Sequence, residues 1–135
     1  MEKEIVIDGA NATMGRLASY AAKQALNGDK VIILNANDVI IVGHKKSIVE
    51  DFKELIKKGG SSLKGPRIVR TPERILKRTI RGMLPHKQGR GSDALDRVVC
   101  YNDVPEKYSS AKKIIAGKEK KGEKITLKEL VFLVK

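Results

Sequence analysis

The sequence predicts an α/β fold in which helices flank a largely parallel β-sheet. Apolar runs at residues 5–7, 31–34 and 39–42 are rich in Val and Ile, and the last two have the composition of strands buried on both faces. Apolar residues recur every three or four positions from Thr13 and again after Gly43, which is typical of helices. The resulting order of strand, helix, strand, strand and helix is the order expected of a helix-flanked parallel sheet.

The first two helices have recognisable ends. The first is predicted to begin near Thr13, capped by Thr13 or Asn11, and to stop at residues 27–29. The second is predicted to stop at residues 59–60, a pair of glycines. The apolar faces of the two helices consist of Met14, Leu17, Ala18, Ala21, Ala22 and Ala25, and of Ile48, Val49, Phe52, Leu55 and Ile56.

The second half of the chain is less regular. We expect residues 61–71 to form an extended surface loop, 97–101 a strand and 107–124 a lysine-rich loop. The terminal helix has a capping box of Thr126 and Glu129 and a hydrophobic staple of Ile125 and Leu130. No internal repeat or composition break is found, so residues 1–135 are expected to form a single domain.

Composition excludes several classes of protein. The chain has 135 residues with 41% hydrophobic residues, enough for a core, and no apolar run approaches the ~18 residues of a membrane span. No apolar signal segment stands at the N-terminus, and one cysteine, Cys100, cannot form an internal disulfide. A secreted enzyme, a disulfide scaffold and a membrane protein are therefore not expected.

The positive charge is concentrated in one segment. The formal net charge is +12, and residues 60–91 hold nine Lys or Arg against a single acid, Glu73. Two-thirds of the net charge thus lies in less than a quarter of the chain. Concentrated positive charge attracts a polyanion. A merely solvated basic face is the alternative, and a membrane surface is disfavoured because the segment lacks the Trp or Phe that anchors interfacial helices.

Within this segment, a two-faced helix is predicted from Thr71 to Gly82, and the angular positions of the side chains are counted over residues 70–83. Thr71, Pro72 and Glu73 supply an N-cap, a proline in the first turn and an early acid, and Gly82 ends the helix. At about 100° per residue, the cations and the apolar residues separate to opposite sides. The cationic arc holds Arg74, Lys77, Arg78 and Arg81, and the opposite side holds Ile75, Leu76, Thr79, Ile80 and Met83.

A glycine- and proline-containing loop at residues 82–91 extends the basic pattern with Lys87 and Arg90. Arginine predominates in residues 60–91, and its planar guanidinium suits phosphate contacts. No zinc-finger spacing or leucine-zipper heptad is present, and aromatic residues are only 4% of the chain. We therefore expect recognition of the backbone and shape of structured RNA.

Residues 8–16 are the main alternative site, because a turn between a strand and a helix is where nucleotide folds bind phosphate. The turn lacks the Gly-Lys-Ser/Thr ending of a Walker loop and the three-glycine dinucleotide spacing, so a structural turn is favoured. His44 and His86 have no partners at metal-ligand spacing. Since no nucleophile–base pair or carboxylate pair stands out either, we expect no enzyme, no cofactor, no metal and no small-molecule substrate.

Residues 77–87, Lys-Arg-Thr-Ile-Arg-Gly-Met-Leu-Pro-His-Lys, followed by Arg90-Gly91, closely resemble the central motif of the large-subunit ribosomal protein thirteen family. Residues 6–8, 14–19 and 31–36, with Gly43, Tyr101 and Pro105, resemble it in the same order. The Pro-His-Lys and Arg-Gly forms are similar to the archaeal and eukaryotic branch, and the compact length is similar to an archaeal-type member. One departure is Asp103, where the family often has glycine before a turn proline.

The resemblance implies a three-layer α/β/α fold and a structural role in the large ribosomal subunit. It implies 23S-type rRNA and neighbouring large-subunit proteins as partners, a cytoplasmic ribosomal location and support of subunit assembly. A free mRNA-binding regulator using the same surface, and a nucleotide-binding α/β enzyme, are the alternatives. The residues expected to contact RNA are Arg16, Lys45, Lys46, Lys64, Arg67, Arg70, Arg74, Lys77, Arg78, Arg81, His86, Lys87 and Arg90.

Overall fold

The computed structural model describes residues 4–57, 71–109, 113–115 and 122–134 of the chain. The strands in these residues are β1 (Glu4–Asp8), β2 (Lys30–Leu34), β3 (Ile40–Val42), β4 (Val98–Cys100), β5 (Ile114–Ile115) and β6 (Lys124–Thr126). The α-helices are α1 (Met14–Leu26), α2 (Lys45–Lys57), α3 (Pro72–Gly82), α4 (Gly89–Asp96) and α5 (Leu127–Val134). Two single-turn 3-10 helices cover Ala36–Asp38 and Glu106–Tyr108.

Four strands form one parallel sheet in the order β4-β2-β1-β5. Ile7 lies opposite Ile33 in the central pair, and Val31 lies opposite Val98 at the β2–β4 border. Parallel neighbours need a long crossover connection, and α1 supplies the one between β1 and β2. The predicted α/β class, with a small, mainly parallel sheet flanked by helices, is confirmed.

Both faces of this sheet are covered, because successive strand residues point to opposite sides. On one face, Ile7 and Ile33 belong to a large core that includes the buried sides of α1, α3, α4 and α5. On the other face, Ile32 and Leu34 pack with Tyr108 from the second 3-10 helix. The sheet is thus the middle layer of three, and α3 is held on the side of the larger core.

The run at residues 39–42 does not extend the parallel sheet as its composition suggested. It forms β3, which pairs antiparallel with β6 in a separate two-stranded sheet, with Ile41 opposite Ile125. Only residues 35–39 separate β2 from β3, too few for a parallel crossover of about a dozen residues. Asn35, at φ 58°, turns the chain out of the main sheet instead.

The prediction of a lysine-rich loop over residues 107–124 is only partly right. These residues are not a loop throughout, because Tyr108 is buried in a 3-10 helix and Ile114–Ile115 pair with β1.

The predicted capping box of α5 is half formed. Thr126 Oγ1 accepts a hydrogen bond from the Glu129 amide at 3.2 Å, as a capping box requires. The Glu129 carboxylate does not complete the box; it pairs with Lys45 Nζ at 3.4 Å. The predicted stop of α2 at residues 59–60 lies outside the described residues.

Candidate nucleic-acid interface

Helix α3 separates its charged and apolar sides as predicted. Ile75, Leu76 and Ile80 are buried in the large core. Arg74 and Arg81 are exposed on the opposite side, and the two remaining cations of the helix are partly exposed. The helix therefore presents a cationic face on a rigid apolar base. We define the α3 basic face as Arg74, Lys77, Arg78 and Arg81.

The expectation that Met83 lies on the apolar side of α3 is wrong. The helix ends at Gly82, and the next residue leaves the helical path with 44% of its surface exposed. Leu84 turns inward instead and is 5% exposed. The angular count fails here because it extrapolates a helix beyond its last turn.

The side chains of the four cations of the α3 basic face have no hydrogen bond or ion pair with any group that the structure describes. Glu73, one turn before Lys77, is not within ion-pairing distance of it. Four like charges on one helical face repel one another. The arrangement therefore favours an anionic partner that lies along the helix.

The first turn of α3 is capped by a residue that no local sequence pattern indicates. Thr71 occupies the predicted N-cap position, but its hydroxyl makes no capping bond and is buried without a partner among the described residues. The side-chain oxygen of Asn102 instead accepts a hydrogen bond from the Glu73 amide at 3.1 Å. An oxygen from another part of the chain thus satisfies one of the free N–H groups of the helix end.

Asn102 is itself fixed to the carboxyl end of the sheet. Its backbone oxygen accepts a bond from the Asn37 amide at 3.3 Å, and Tyr101 O accepts one from the Ala36 amide at 2.9 Å. These bonds join the turn after β4 to the 3-10 helix after β2. The start of α3 is therefore held to two strand ends by hydrogen bonds as well as by its apolar side.

The segment after α3 is a compact turn. The Gln88 amide donates to Pro85 O at 3.0 Å, and His86 Nδ1 lies 3.2 Å from Arg81 O. Since a carbonyl oxygen only accepts, His86 Nδ1 must carry the proton in this contact. His86 is half-buried and fixes the turn to the end of α3, while Lys87 is exposed on its surface.

The turn is followed by α4, which begins at Gly89, so the loop that the sequence predicts through residue 91 is shorter than expected. Gly91 lies so close to the turn that a Cβ atom there would collide with the carbonyl group of Pro85. No such obstacle surrounds Gly89, where nothing lies within 4 Å of an added Cβ. Arg90 is exposed in the first turn of α4. Gly91 therefore allows the close helix–turn packing that places Lys87 and Arg90 beyond the end of α3.

The other candidate residues are not all gathered at α3. Arg16 is exposed in the first turn of α1. Lys45 and Lys46 line a cleft of about 320 Å³ with Leu133, between α2 and α5. Arg78 lines a different cavity, of about 430 Å³, between α2 and α3. The structure thus separates the two α2 lysines from the α3 basic face. The remaining candidates, Lys64, Arg67 and Arg70, lie outside the described residues.

Cys100, at the end of β4, lies near α3, but its thiol is unreactive. Burial raises the pKa of its thiol to about 12, an effect that the Lys77 ammonium reduces and the Glu73 carboxylate reinforces. A thiol with so high a pKa stays protonated at neutral pH and is a poor nucleophile or metal ligand. The described residues also contain no group of three or more His, Cys, Asp or Glu placed to hold a metal ion together.

The turn at residues 8–16 has the geometry of a structural turn. The Gly9 amide donates to Leu34 O at 2.8 Å, and the Asn11 amide donates to Asp38 O at 3.1 Å. Asp8 Oδ1 accepts the Ala10 amide at 3.0 Å. These N–H groups already have protein acceptors, whereas a phosphate loop must leave them free.

None of the helices in the described residues combines the length and apolar character that crossing a membrane requires.

Known proteins resemble this chain over most of its length. The family model for ribosomal protein L13 matches residues 2–107. The large ribosomal subunit protein uL13 of Thermoplasma volcanium is 46% identical over 107 residues, which are 79% of this chain and 78% of that protein. The uL13 of Methanococcoides burtonii is 45% identical over 78% of this chain and 76% of that protein. The uL13 of Caenorhabditis elegans is 40% identical over 84% of this chain and 57% of that longer protein. The chain therefore belongs to the ribosomal protein L13 family.

Proposed function

We propose that this protein is a structural constituent of the large ribosomal subunit and binds its rRNA through the α3 basic face. The observation that carries this proposal is the set of four cations on α3 that have no anionic partner among the described residues. Family membership supports the ribosomal role. Neighbouring ribosomal proteins and a cytoplasmic ribosomal location are part of the same proposal.

The proposed mechanism is neutralisation of phosphates by side chains on a fixed mount. The buried side of α3 anchors the helix in the core, and the Asn102 cap and the Gly91 packing fix its two ends. Cations held in place lose less conformational entropy on binding than cations on a mobile tail. Counterions released from the RNA then supply much of the affinity.

The contacts divide into a central and a peripheral set. The central set is the α3 basic face with Lys87 and Arg90, which follow it along the chain. Arg16, Lys45 and Lys46 belong to the peripheral set, because they lie on α1 and α2. We assign His86 to holding the turn, although its remaining ring nitrogen is free to approach a phosphate. The proposed contacts at Lys64, Arg67 and Arg70 rest on the sequence alone.

We also propose that residues 1–135 form one domain without catalytic activity. The protein-bonded amides of the turn at residues 8–16 and the protonated thiol of Cys100 both count against an enzyme. A structural role in rRNA folding requires no turnover, only a surface that joins RNA segments whose charges repel each other.

Incorporation into ribosomal subunits tests this proposal. We expect the double variant Arg78→Glu/Arg81→Glu to fold normally, because both side chains are outside the apolar core, and to be absent from large subunits after reconstitution. A control, Lys23→Glu/Lys107→Glu, reverses two exposed charges on α1 and the second 3-10 helix, removes the contact between Lys107 Nζ and the Tyr108 ring, and should be incorporated. Circular dichroism would verify the fold of both variants. Normal incorporation of the α3 variant would contradict the proposal.

A further inference from the structure

Helix α5 exposes apolar side chains that the α3 basic face does not use. Phe132 is 75% exposed and Leu133 is 44% exposed. The other phenylalanine of the chain, Phe52, is partly buried against the large core. Large apolar side chains are costly to leave uncovered in water and commonly mark a binding surface.

The surroundings of Phe132 suit a nucleotide. Lys128 lies one turn earlier on the same side of α5, since residues four apart share a helical face. Phe132, Lys128 and Asn37 line one cleft of about 260 Å³. The side-chain nitrogen of Asn37 donates to Asp103 Oδ1 at 3.4 Å, which fixes the orientation of the amide and leaves its oxygen as the group offered to a base. An aromatic ring, an ammonium and an amide are the groups that a protein uses to stack a base, hold its phosphate and read its edge.

The cleft on the other side of α5 is also basic. Lys46 and Lys53 of α2 line it beside Leu133, and Glu50 is the one acid among the described residues that line it. Lys45, which lines it too, is paired with Glu129. The local charge is therefore positive after the internal pair is counted. An apolar protein partner alone would leave these ammonium groups without counter-charges, whereas an RNA strand would supply phosphates as well as bases.

The cleft lined by Phe132 lies next to the start of α3 and not among the cations of that helix. Pro72, the first residue of α3, lines the Phe132 cleft, while Arg81 lies nine residues further along that helix. At about 1.5 Å per residue, the cleft and Arg81 are separated by about 14 Å along the helix axis. An RNA that follows the α3 basic face toward its N-terminus thus reaches the cleft.

From this juxtaposition we infer that α5 carries a second RNA site, in which Phe132 stacks on an unpaired base and Lys128 contacts its phosphate. The inference rests on the proposed function and deepens it, because it specifies an unpaired nucleotide beside the segment that α3 binds. The protein then joins two parts of the RNA, one recognised by charge and one by stacking.

Tryptophan fluorescence tests the stacking directly. The chain contains no tryptophan, so Phe132→Trp introduces a single reporter at an exposed position. We expect its emission to be strongly quenched when the protein is saturated with a large-subunit rRNA fragment, because an indole ring stacked on a base loses fluorescence. Unchanged emission at saturation would overturn the inference.

Affinity for the same fragment separates stacking from other contacts. Phe132→Ala and Phe132→Leu should each weaken binding by about ten-fold, and Phe132→Tyr should bind like the parent protein. If Phe132→Leu binds like the parent protein while Phe132→Ala does not, the residue makes an apolar contact without stacking, and the inference is wrong. If Phe132→Ala alone has no effect while Arg78→Gln/Arg81→Gln does, α5 is not an RNA site but the proposed function stands. If neither variant has an effect, the proposed function fails as well.

Discussion

Helices α2 and α3 each carry four Lys or Arg residues, but α2 also holds three acids and α3 only one. On α2, acids such as Glu50 and Asp51 stand among the lysines, and Lys45 is paired with Glu129 of α5. On α3, the cations lie on one side without an anionic partner among the described residues. The buried sides of both helices contact the same large core. The difference teaches that the number of acids and their pairing with the bases, rather than the number of bases, distinguish a solvated helix from a candidate RNA-binding helix.

The second difference lies at the helix ends. Helix α3 has a cap from Asn102 at its start and a close-packed turn at its end. Helix α2 begins with the Lys45 amide donating to an exposed carboxylate oxygen of Glu123 at 3.0 Å. A helix that must hold charges in one place benefits from fixed ends, since side-chain positions follow the backbone.

The largest expected effect is on RNA affinity, when two positive charges are removed from α3 and, for comparison, two from α2. Arg78→Gln/Arg81→Gln should weaken binding to a large-subunit rRNA fragment by about a hundred-fold at low salt, because two phosphate contacts and their released counterions are lost. Lys45→Gln/Lys46→Gln should weaken it by less than about ten-fold, since one of these lysines already has a protein partner. Equal losses for the two pairs in a filter-binding titration would remove the distinction between the helices.

Adding a methyl group where Gly91 packs against Pro85 should have the next largest effect. Gly91→Ala should destabilise the protein by about 1–3 kcal/mol, since the new methyl group must displace the backbone of Pro85. Gly82→Ala is the matched control: nothing lies within 4 Å of an added Cβ there, and alanine favours the helical conformation. Thermal unfolding followed by circular dichroism would measure both. A Gly91→Ala protein as stable as the parent would show that the turn tolerates the side chain.

Removing the cap at the start of α3 should cost less. Asn102→Ala deletes the acceptor of the Glu73 amide and should reduce the free energy of unfolding by about 1 kcal/mol. Asn102→Asp retains an oxygen at the same place and should restore most of that stability. Urea denaturation of the three proteins measures the difference. If aspartate behaves like alanine, the hydrogen bond to Glu73 is not the reason for the effect.

The smallest effect is expected at the ion pair that joins α2 to α5. Lys45 and Glu129 are both about half-exposed, and exposed pairs contribute roughly 0.2–1 kcal/mol. Glu129→Gln should therefore lower the free energy of unfolding by less than about 1 kcal/mol, and salt should reduce the loss. The Thr126 cap uses the Glu129 backbone and is retained in this variant. A loss well above this range would indicate that the pair anchors α2.

The helices and the main strands could be predicted because their signals are local. The period of apolar residues gave α1, α2 and α3, and the Val- and Ile-rich runs gave β1 and β2. The position of β3 could not be found in this way, because its partner β6 comes about eighty residues later in the chain. Strand pairing over such a distance leaves no local pattern.

The chemistry of the candidate interface was predictable in part for the same reason. The α3 basic face follows from the spacing of its four cations along one helix. The Asn102 cap does not, since it joins residues 29 positions apart. The role of Gly91 was also hidden, because a glycine in a basic loop and a glycine packed against backbone look alike in sequence. Lys45 was grouped with the RNA-binding residues, and its pairing with Glu129 depends on the placement of α5.

The salt dependence of rRNA binding tests the central claim most directly. We expect the logarithm of the affinity of the parent protein for a large-subunit rRNA fragment to fall steeply with the logarithm of salt, with bulk tRNA present as competitor. Arg78→Gln/Arg81→Gln should make that slope shallower by about 1.4–1.8, the contribution of two phosphate contacts. A slope that the substitutions leave unchanged, or binding that the tRNA abolishes, would contradict the assignment of the α3 basic face as the rRNA site.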